Sequence, residues 1–238
     1  MTSRNTEKAG GRFSAAREGA LRSLPIVLSY FFVSTAYGML MTQHGYAWLE
    51  TLLSSAFLYT GAFQFALITF LSAGASVVTI ALCAFLMNSR QCFYSLSFLN
   101  DFNAMGRRKL YMIHSMTDET YAVNTSLEEM PEKQRHDVMF YVALFSHLGW
   151  IGGSLVGAVL GQLIPALPDG VDFCMTALFV VIFTDQWEHA ASHKPALIGA
   201  ACAVAALYIF GAQNFMLPAL LCVCGILSAM QAGRRAEE

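Results

Sequence analysis

Charged residues are scarce in this sequence, and the shortage decides its class. Only 13% of its 238 residues are Asp, Glu, Lys or Arg, against about 25% in an average soluble domain, whereas 56% are hydrophobic. So little charge does not cover a water-facing surface, which excludes an ordinary soluble enzyme and also an intrinsically disordered chain. The net charge of −2 excludes a basic surface for nucleic acid. The composition therefore predicts an integral membrane protein.

Motifs for cofactors, metals and catalysis are also missing. The six cysteines all lie in apolar stretches, where they resemble small buried hydrophobic residues and not a disulfide framework. The sequence has no Gly-x-x-x-x-Gly-Lys-Ser/Thr motif for ATP and no recognisable pair of nucleophile and base. We therefore expect no enzymatic activity, no cofactor and no metal site, and we expect no direct drive by ATP.

Long uncharged runs locate the expected membrane spans. Two runs of 39 residues, between Glu50 and Arg90 and between Lys194 and Arg234, would each measure roughly 58 Å as one helix, about twice the hydrocarbon thickness. Each run must therefore turn back on itself. We predict an all-α polytopic membrane protein of about six to seven transmembrane helices, near 24–42, 51–71, 76–98, 139–164, 172–187, 196–211 and 215–231. They form one membrane transport domain, 23–232, between a basic N-terminus, 1–22, and a tail, 233–238.

The distribution of Lys and Arg orients the chain. The first 22 residues carry five of them, and the tail carries Arg234 and Arg235, so both termini are expected in the cytoplasm. Loops 43–50 and 165–171 should then both lie outside, because neither contains Lys or Arg. An even number of crossings must separate these two loops, but only three of the expected helices lie between them.

The segment 76–127 has to resolve this mismatch. Either 76–98 is broken or re-entrant near Asn88-Ser89-Arg90, or 110–127 also crosses the membrane. The first solution keeps the basic residues of 107–109 inside, as the rule for positive charges prefers. The polar connection 101–137 holds seven acidic and five basic residues. We expect it to contain helical pieces, either at the membrane surface or folded into the protein.

The first candidate site lies in the middle of the second expected span, at Tyr59-Thr60-Gly61-Ala62-Phe63-Gln64-Phe65. A helix broken at Thr60-Gly61 would present free N–H groups to a carboxylate, as discontinuous helices do in transporters. In the alternative, the helix is intact, the Thr60 hydroxyl bonds back to its own helix and the Gln64 amide bonds to a neighbour. Both interpretations stay open at this stage.

The second candidate group is Asn88-Ser89-Arg90-Gln91, followed by Tyr94. An arginine inside a span costs about 2.5–3.5 kcal/mol on insertion scales, so it needs a partner or a water-filled site. If Arg90 lies near the cytoplasmic interface instead, its long side chain can reach the headgroups without any further role.

The third candidate group is Thr117-Asp118-Glu119-Thr120-Tyr121. A Thr before two acidic residues is typical of a helix N-cap with carboxylates in the first turn. The same carboxylates could also hold a substrate ammonium or carry a proton. Because opposite charges at membrane depth should meet each other or a bound zwitterion, we expect Arg90 and the Asp118-Glu119 pair to come together.

A strict series of glycines marks one face of the span near 139–164. Four residues turn a helix by about 400°, so glycines at this spacing drift by only about 40° per step and form one smooth face. Such a face lets another helix pack closely, either from this chain or from another subunit. The series consists of Gly149, Gly153, Gly157 and Gly161.

The motifs together resemble the AzlC/YgaZ family. The resemblance is carried by Leu24–Tyr30 with Ala36-Tyr37-Gly38, by the 59–65 motif, by Asn88-Ser89-Arg90-Gln91 with Tyr94, and by Met116-Thr117-Asp118-Glu119. Gln91 stands where the family usually has His. The resemblance implies the large subunit of a branched-chain amino acid exporter in the inner membrane, which works with a small AzlD/YgaH-type membrane subunit. It also implies export of valine-like amino acids, in some members methionine, driven by protons.

We therefore expect a secondary exporter subunit with a site for a zwitterion and no binding of nucleic acid. Thr60, Gly61 and Arg90 would receive the substrate carboxylate, and Asp118 or Glu119 the ammonium. The substrate-binding set as a whole is Tyr59, Thr60, Gly61, Phe63, Gln64, Asn88, Arg90, Tyr94, Asp118 and Glu119. The alternative is a non-transporting membrane subunit for assembly or sensing, in which the glycines and polar groups serve only packing.

Overall fold

The computed structural model describes residues 3–164, 173–190, 192–212 and 215–237, and every regular element in these ranges is helical. The first loop expected outside, 43–50, is a short turn leading into a helix, and the second, 165–171, lies outside the described residues. The helices are α1 (Ser3–Gln43), α2 (Trp48–Phe57), α3 (Gly61–Ser72), α4 (Val77–Ser97), α5 (Leu99–Ala104), α6 (Lys109–His114), α7 (Asp118–Thr125), α8 (Glu132–Leu163), α9 (Phe173–His189), α10 (Lys194–Phe210) and α11 (Met216–Glu237). A 3₁₀ turn, Gly106–Arg108, lies between α5 and α6.

The expected all-α membrane fold is confirmed. Within the described residues, three helices are long and apolar enough to cross a membrane, namely Phe13–Gln43 of α1, the whole of α4 and the whole of α8. Shorter apolar helices accompany them at α3, α10 and Met216–Met230 of α11. The first and fourth expected spans both begin earlier than predicted, because α1 and α8 continue into polar sequence on their N-terminal sides.

The broken span is a different one from the span that the distribution of Lys and Arg indicated. The expected span 51–71 is divided into α2 and α3, whereas 76–98 forms one continuous helix, α4. Helix α4 runs through its polar residues because they bond back to their own helix: Asn88 Nδ2 donates to the Ala84 carbonyl at 2.8 Å, and Ser89 Oγ to the Leu86 carbonyl at 2.9 Å. A re-entrant turn at 88–90 is therefore not part of the structure.

The polar connection 101–137 consists of short helical pieces folded into the protein. Helices α6 and α7 are separated at Ser115–Thr117 and have six and eight residues, so 110–127 does not cross as one span. The connection packs with α8 around a buried apolar cluster. That cluster comprises Ala15, Phe98, Phe102, Met112, Met116, Leu127, Val138, Met139, Val142 and Ala143.

The chain divides into two compact units. The first comprises Met1–Gln64 and Arg90–Cys174, and the second comprises Phe65–Ser89 and Met175–Glu238. From the sequence, 23–232 is expected to be one domain. In the second unit, α10 and α11 pack together and bring Cys202 Sγ within 3.6 Å of Cys222 Sγ. The first unit contains α1, α2 and α8, and the chemistry described below lies inside it.

Helices α1 and α8 form the main contact of the first unit, and glycines allow their backbones to touch. A Cβ added at Gly157 would lie 2.0 Å from the Thr35 carbonyl oxygen, and one at Gly38 would lie 2.0 Å from that of Ser154. The Thr35 hydroxyl also donates across the contact, to the Gly153 carbonyl at 3.2 Å. Such an approach is possible only where side chains are missing.

Candidate functional site

The break between α2 and α3 is the most unusual piece of backbone in the described chain. Tyr59 has φ +39°, the positive-φ conformation that a bulky side chain adopts only under constraint, and it is buried. After it, the Gln64 N–H donates to the Thr60 carbonyl at 3.0 Å, and the Thr60 N–H donates to Gln64 Oε1 at 3.3 Å. The sequence motif is therefore a broken helix, and Gln64 ties its new start to Thr60.

An aromatic wall from α1 and α8 surrounds this helix start. The indole of Trp150 lies directly over Gly61, where an added Cβ would be 3.1 Å from its Cη2 atom. Tyr30 meets Trp150 edge to face with ring centroids 5.4 Å apart, and it meets Tyr59 at 6.3 Å. Tyr37 stacks on Trp150 at 6.5 Å. These rings form an apolar enclosure at the N-terminus of α3.

Several polar atoms in this enclosure are buried without a hydrogen-bond partner in the structure. They include the Tyr59 hydroxyl, the Thr60 hydroxyl and the indole N–H of Trp150. Because more than nine in ten buried polar groups in proteins are paired, a cluster of unpaired ones needs an explanation. The N-terminal N–H groups of a helix also lack partners within the helix and attract negative charge. The enclosure thus offers donors to a small polar ligand.

Arg90 and Asp118 form an ion pair in the same unit. Arg90 Nη2 lies 2.8 Å from Asp118 Oδ2, and the two side chains are 38% and 40% exposed, so the pair is accessible and not sealed in the core. Oδ1 of Asp118 is buried without a partner. Next to the pair, Tyr94 stacks on Tyr121 with centroids 4.6 Å apart. Two charges that are 28 positions apart in sequence are thus adjacent in space.

Helix α7 begins at this aspartate and positions the carboxylates of Asp118 and Glu119. The Thr117 N–H donates to Thr120 Oγ1 at 2.8 Å, and Thr117 Oγ1 accepts from the Thr120 N–H at 3.3 Å, so Thr117 is the N-cap. Asp118 and Glu119 occupy the first turn, where the helix dipole stabilises carboxylates. The capping and binding interpretations of this motif are therefore compatible.

Tyr30 connects the ion-pair region to the aromatic enclosure. Its hydroxyl lies 2.8 Å from Thr117 Oγ1 and donates to the Glu119 carboxylate, while its ring packs against Trp150 and Tyr59. Asp118 and Glu119 are neighbours in sequence. The first turn of α7 therefore links the Arg90–Asp118 pair to Tyr30, whose ring reaches the start of α3.

A histidine lies behind the break. His147 of α8 is buried, with its ring 4.2 Å from that of Tyr59. Its Nδ1 lies 3.2 Å from the Tyr111 hydroxyl, and its Nε2 lies 3.4 Å from the Ser55 carbonyl oxygen. Burial raises the pKa of Tyr111 to about 12, so this hydroxyl keeps its proton at neutral pH.

The structure brings most of the expected site residues together. Tyr59, Thr60, Gly61 and Gln64 form the break, and Phe63 is buried at the start of α3. The ion-pair region contains Arg90, Tyr94, Asp118 and Glu119. Asn88 belongs to the second unit, and its side chain bonds to its own helix. The glycine series Gly149, Gly153, Gly157 and Gly161 contacts α1 at Val27, Phe31, Thr35 and Met39, so it offers no free face to another subunit.

Sequence reasoning missed four residues of this region: Tyr30, Tyr111, His147 and Trp150. Two signals pointed to them. His147 is an ionisable residue in an uncharged span, which is by default a candidate functional residue. Tyr30 ends the Leu24–Tyr30 motif that contributed to the family resemblance.

Comparison with known proteins decides the family. The family model described as AzlC protein matches residues 25–164. The chain belongs to the AzlC family. It is 31% identical to the branched-chain amino acid transport protein AzlC of Bacillus subtilis, over 92% of this chain and 86% of the relative. It is 38% identical to an uncharacterised membrane protein of Helicobacter pylori strain J99, over 87% and 91%.

A third relative of this AzlC family member is the inner membrane protein YgaZ of Escherichia coli, 30% identical over 90% of this chain and 89% of the relative. No solved structure matches the chain significantly. Two of these relatives are named as membrane proteins and one as a transport protein, and the family is one of transport. The comparisons and the apolar helices together place this chain in a membrane and in a transport family.

Proposed function

We propose that this chain is the large subunit of a secondary exporter for branched-chain amino acids in the inner membrane, driven by the proton gradient. The name of the Bacillus subtilis relative supports the substrate class. The residues of the first unit support a zwitterion as substrate, because a cation, two carboxylates and an apolar enclosure are linked through the first turn of α7 and Tyr30.

The accessible Arg90–Asp118 pair is the observation that carries this proposal. An amino acid has one carboxylate and one ammonium, so it can replace both partners at once: its carboxylate takes Arg90, and its ammonium takes Asp118 or Glu119. Arg90 offers a planar fork of donors that fits a carboxylate. No net charge is buried in this exchange, which keeps the cost low at membrane depth.

The break supplies the remaining contacts in this proposal. The first N–H groups of α3 and the Thr60 hydroxyl offer donors to the substrate carboxylate, as helix N-termini do in transporters with broken helices. The rings of Tyr30, Tyr59 and Trp150 offer an apolar enclosure for a branched aliphatic side chain. Tyr30 and Trp150 come from α1 and α8, outside the 59–65 motif.

Transport of labelled valine into inverted membrane vesicles tests the proposal. We expect uptake that rises with an imposed pH gradient and that is lost in Arg90→Ala and in Asp118→Asn. Arg22→Ala is the matched control, because Arg22 pairs with Glu18 at 2.7 Å with exposures of 35% and 36%. Full uptake by Arg90→Ala at normal expression contradicts the proposed site. Absence of uptake by the unmodified protein, in vesicles that also contain the small membrane subunit, favours a non-transporting assembly or sensory subunit.

The orientation of the chain follows the charge rule in this proposal. Five Lys or Arg precede the first span and two follow the last, which favours cytoplasmic termini. A reporter fused after Glu238 that is active only in the cytoplasm is the expected result. Activity restricted to the periplasm would reverse the orientation.

A small AzlD/YgaH-like membrane subunit is the proposed partner. Because α1 covers the glycine series of α8, the partner must use another surface. Co-expression of the two chains with a tag on this one tests the complex: we expect the small subunit to co-purify in mild detergent, and valine export to need both chains. Export by this chain alone contradicts the partnership.

A further inference from the structure

His147 is a buried ionisable residue with no part in the proposed amino-acid site. It is 7% exposed and lies halfway along α8, a helix long and apolar enough to cross a membrane. Ionisable side chains at membrane depth are costly, and those that occur mark ion or proton pathways. The groups that the imidazole contacts therefore indicate which function His147 has.

Both ring nitrogens of His147 have partners whose chemistry assigns its neutral form. The Ser55 carbonyl oxygen, 3.4 Å from Nε2, can only accept, so Nε2 carries the hydrogen. Nδ1 then accepts from the hydroxyl of Tyr111 at 3.2 Å, since that hydroxyl keeps its own proton. A second proton can bind only at Nδ1. The Tyr111 hydroxyl must then turn to present its oxygen.

The positive form would be held by the broken helix. Ser55 lies in the last turn of α2, where unpaired carbonyls concentrate negative partial charge and stabilise a cation. The Tyr59 ring lies 4.2 Å away, within range of a cation–π contact. The titratable groups that face His147 are Tyr111 and His114 from α6 and Tyr59 from the break.

We propose that His147 takes up and releases the coupled proton of transport, and that the broken helix responds to its charge through the Ser55 carbonyl and the Tyr59 ring. This inference rests on the proposed export function. One N–H bond forms at Nδ1 on uptake and breaks on release. The charge strengthens the contacts of α8 to the end of α2 and to the break, and the break leads directly into the proposed carboxylate site at Thr60-Gly61.

The first experiment compares His147→Gln with His114→Gln in vesicles that contain the complete complex. Glutamine can still donate to the Ser55 carbonyl but does not titrate. His114 is an exposed histidine with its ring 6.0 Å from that of His147, which makes it the matched control. The rate of valine exchange without a gradient should differ about tenfold between about pH 5.5 and pH 7.5, both in the unmodified protein and in His114→Gln.

In His147→Gln, we expect exchange with a flat pH profile and no accumulation when a pH gradient is imposed. An unchanged pH profile in this variant overturns the proposal. If the variant fails to insert, Tyr111→Phe replaces it. That change removes the partner of Nδ1 while the imidazole stays. It should move the profile to lower pH, because the lost hydrogen bond is stronger for the charged imidazolium than for the neutral ring. A profile that does not move also overturns the proposal.

A direct titration separates this inference from the proposed function. In the purified complex with ¹⁵N-labelled histidine, we expect one resonance that is missing from His147→Gln and that titrates between about pH 5 and pH 8. If vesicles show no valine transport, the export function fails, while the titration still decides whether His147 binds a proton. A His147 resonance that stays neutral over this range overturns the inference, even if valine is exported.

Discussion

Two stretches of the same helix, α8, follow opposite rules. In the later stretch, Gly153 and Gly157 lie against the backbone of α1, so closely that a Cβ at Gly157 would be 2.0 Å from the Thr35 carbonyl oxygen. In the earlier stretch, His147 and Trp150 meet the break between α2 and α3, where buried hydroxyls and the indole N–H lack partners. The later stretch is closed by contact, and the earlier one is rich in unused hydrogen-bonding groups.

The difference shows how a membrane protein can hold polar groups in place. A site works only if its side chains are fixed by their surroundings, and the glycine contact fixes α8 against α1. Tyr30 of α1 and Trp150 of α8 are then held edge to face, at a ring separation of 5.4 Å. The packed stretch of α8 therefore holds the polar stretch in position, and the two can be disturbed separately.

The largest effect is expected from closing the glycine contact. Gly157→Ala places a methyl group 2.0 Å from a backbone oxygen, so the helices must separate, at a cost of about 3 kcal/mol and a fall of about 10 °C in Tm. Gly152→Ala is the control, because a Cβ there meets nothing within 4 Å. It should raise Tm slightly, since Ala favours a helix over Gly by about 1 kcal/mol. Equal Tm values for the two variants, measured in the same detergent, contradict the close contact.

The second effect shows whether the Arg90–Asp118 pair binds the substrate or only stabilises the structure. The double variant Arg90→Asp with Asp118→Arg restores opposite charges in reversed positions. We expect it to fold with a slightly lower Tm, because an arginine in the first turn of α7 opposes the helix dipole by about 1 kcal/mol. Valine export should stay at least about 100-fold below that of the unmodified protein, since binding of the zwitterion depends on which end carries which charge.

Recovery of valine export in the reversed double variant would show that the Arg90–Asp118 pair only stabilises the structure. The matched control reverses Arg108 and Asp137, a pair 2.6 Å apart in the polar connection. This control should keep export, because neither residue belongs to the proposed site.

The sequence predicted the parts of this site that follow from local rules. The every-fourth spacing of glycines predicts a close helix contact, and Thr before two acids predicts the start of α7, because each depends on the geometry of a single helix. The break at Thr60-Gly61 was one of two interpretations of the 59–65 motif that the sequence left open. The continuity of α4 was missed, because a cluster of polar residues looks the same in sequence whether it ends a helix or bonds back to it.

The aromatic enclosure could not be predicted, because it depends on tertiary contacts. Tyr30 and Trp150 are 120 positions apart, and only the packing of α1 against α8 brings them together. An aromatic residue in an apolar span is otherwise indistinguishable from one that packs in the core or faces lipid. His147 was the exception, since an ionisable group in such a span is itself a signal.

The third effect concerns the approach of Trp150 to Gly61. Gly61→Ala places a methyl group 3.1 Å from the indole, which must move, and export should fall about tenfold with little change in Tm. Trp150→Phe shortens the ring at this point. In a double-mutant cycle, the combined variant should lose less than the sum of the two single losses, because the methyl group no longer meets the indole. Additive losses contradict a functional contact between these two residues.

The smallest effect is expected at the hydrogen bond from Tyr30 to Glu119, which joins the ion-pair region to the aromatic enclosure. Tyr30→Phe removes the hydroxyl that donates to the Glu119 carboxylate but keeps the ring against Trp150. Glu119 is exposed enough for water to solvate it, so the loss should be about 1 kcal/mol, or roughly fivefold in the KM for valine, and kcat should hardly change. Tyr141→Phe, whose ring stacks on Phe145, is the control and should leave KM unchanged. If Tyr30→Phe lowers kcat and leaves KM unchanged, the hydroxyl acts in the transport step itself. The connection between the ion pair and the break is then a moving part and not a binding contact.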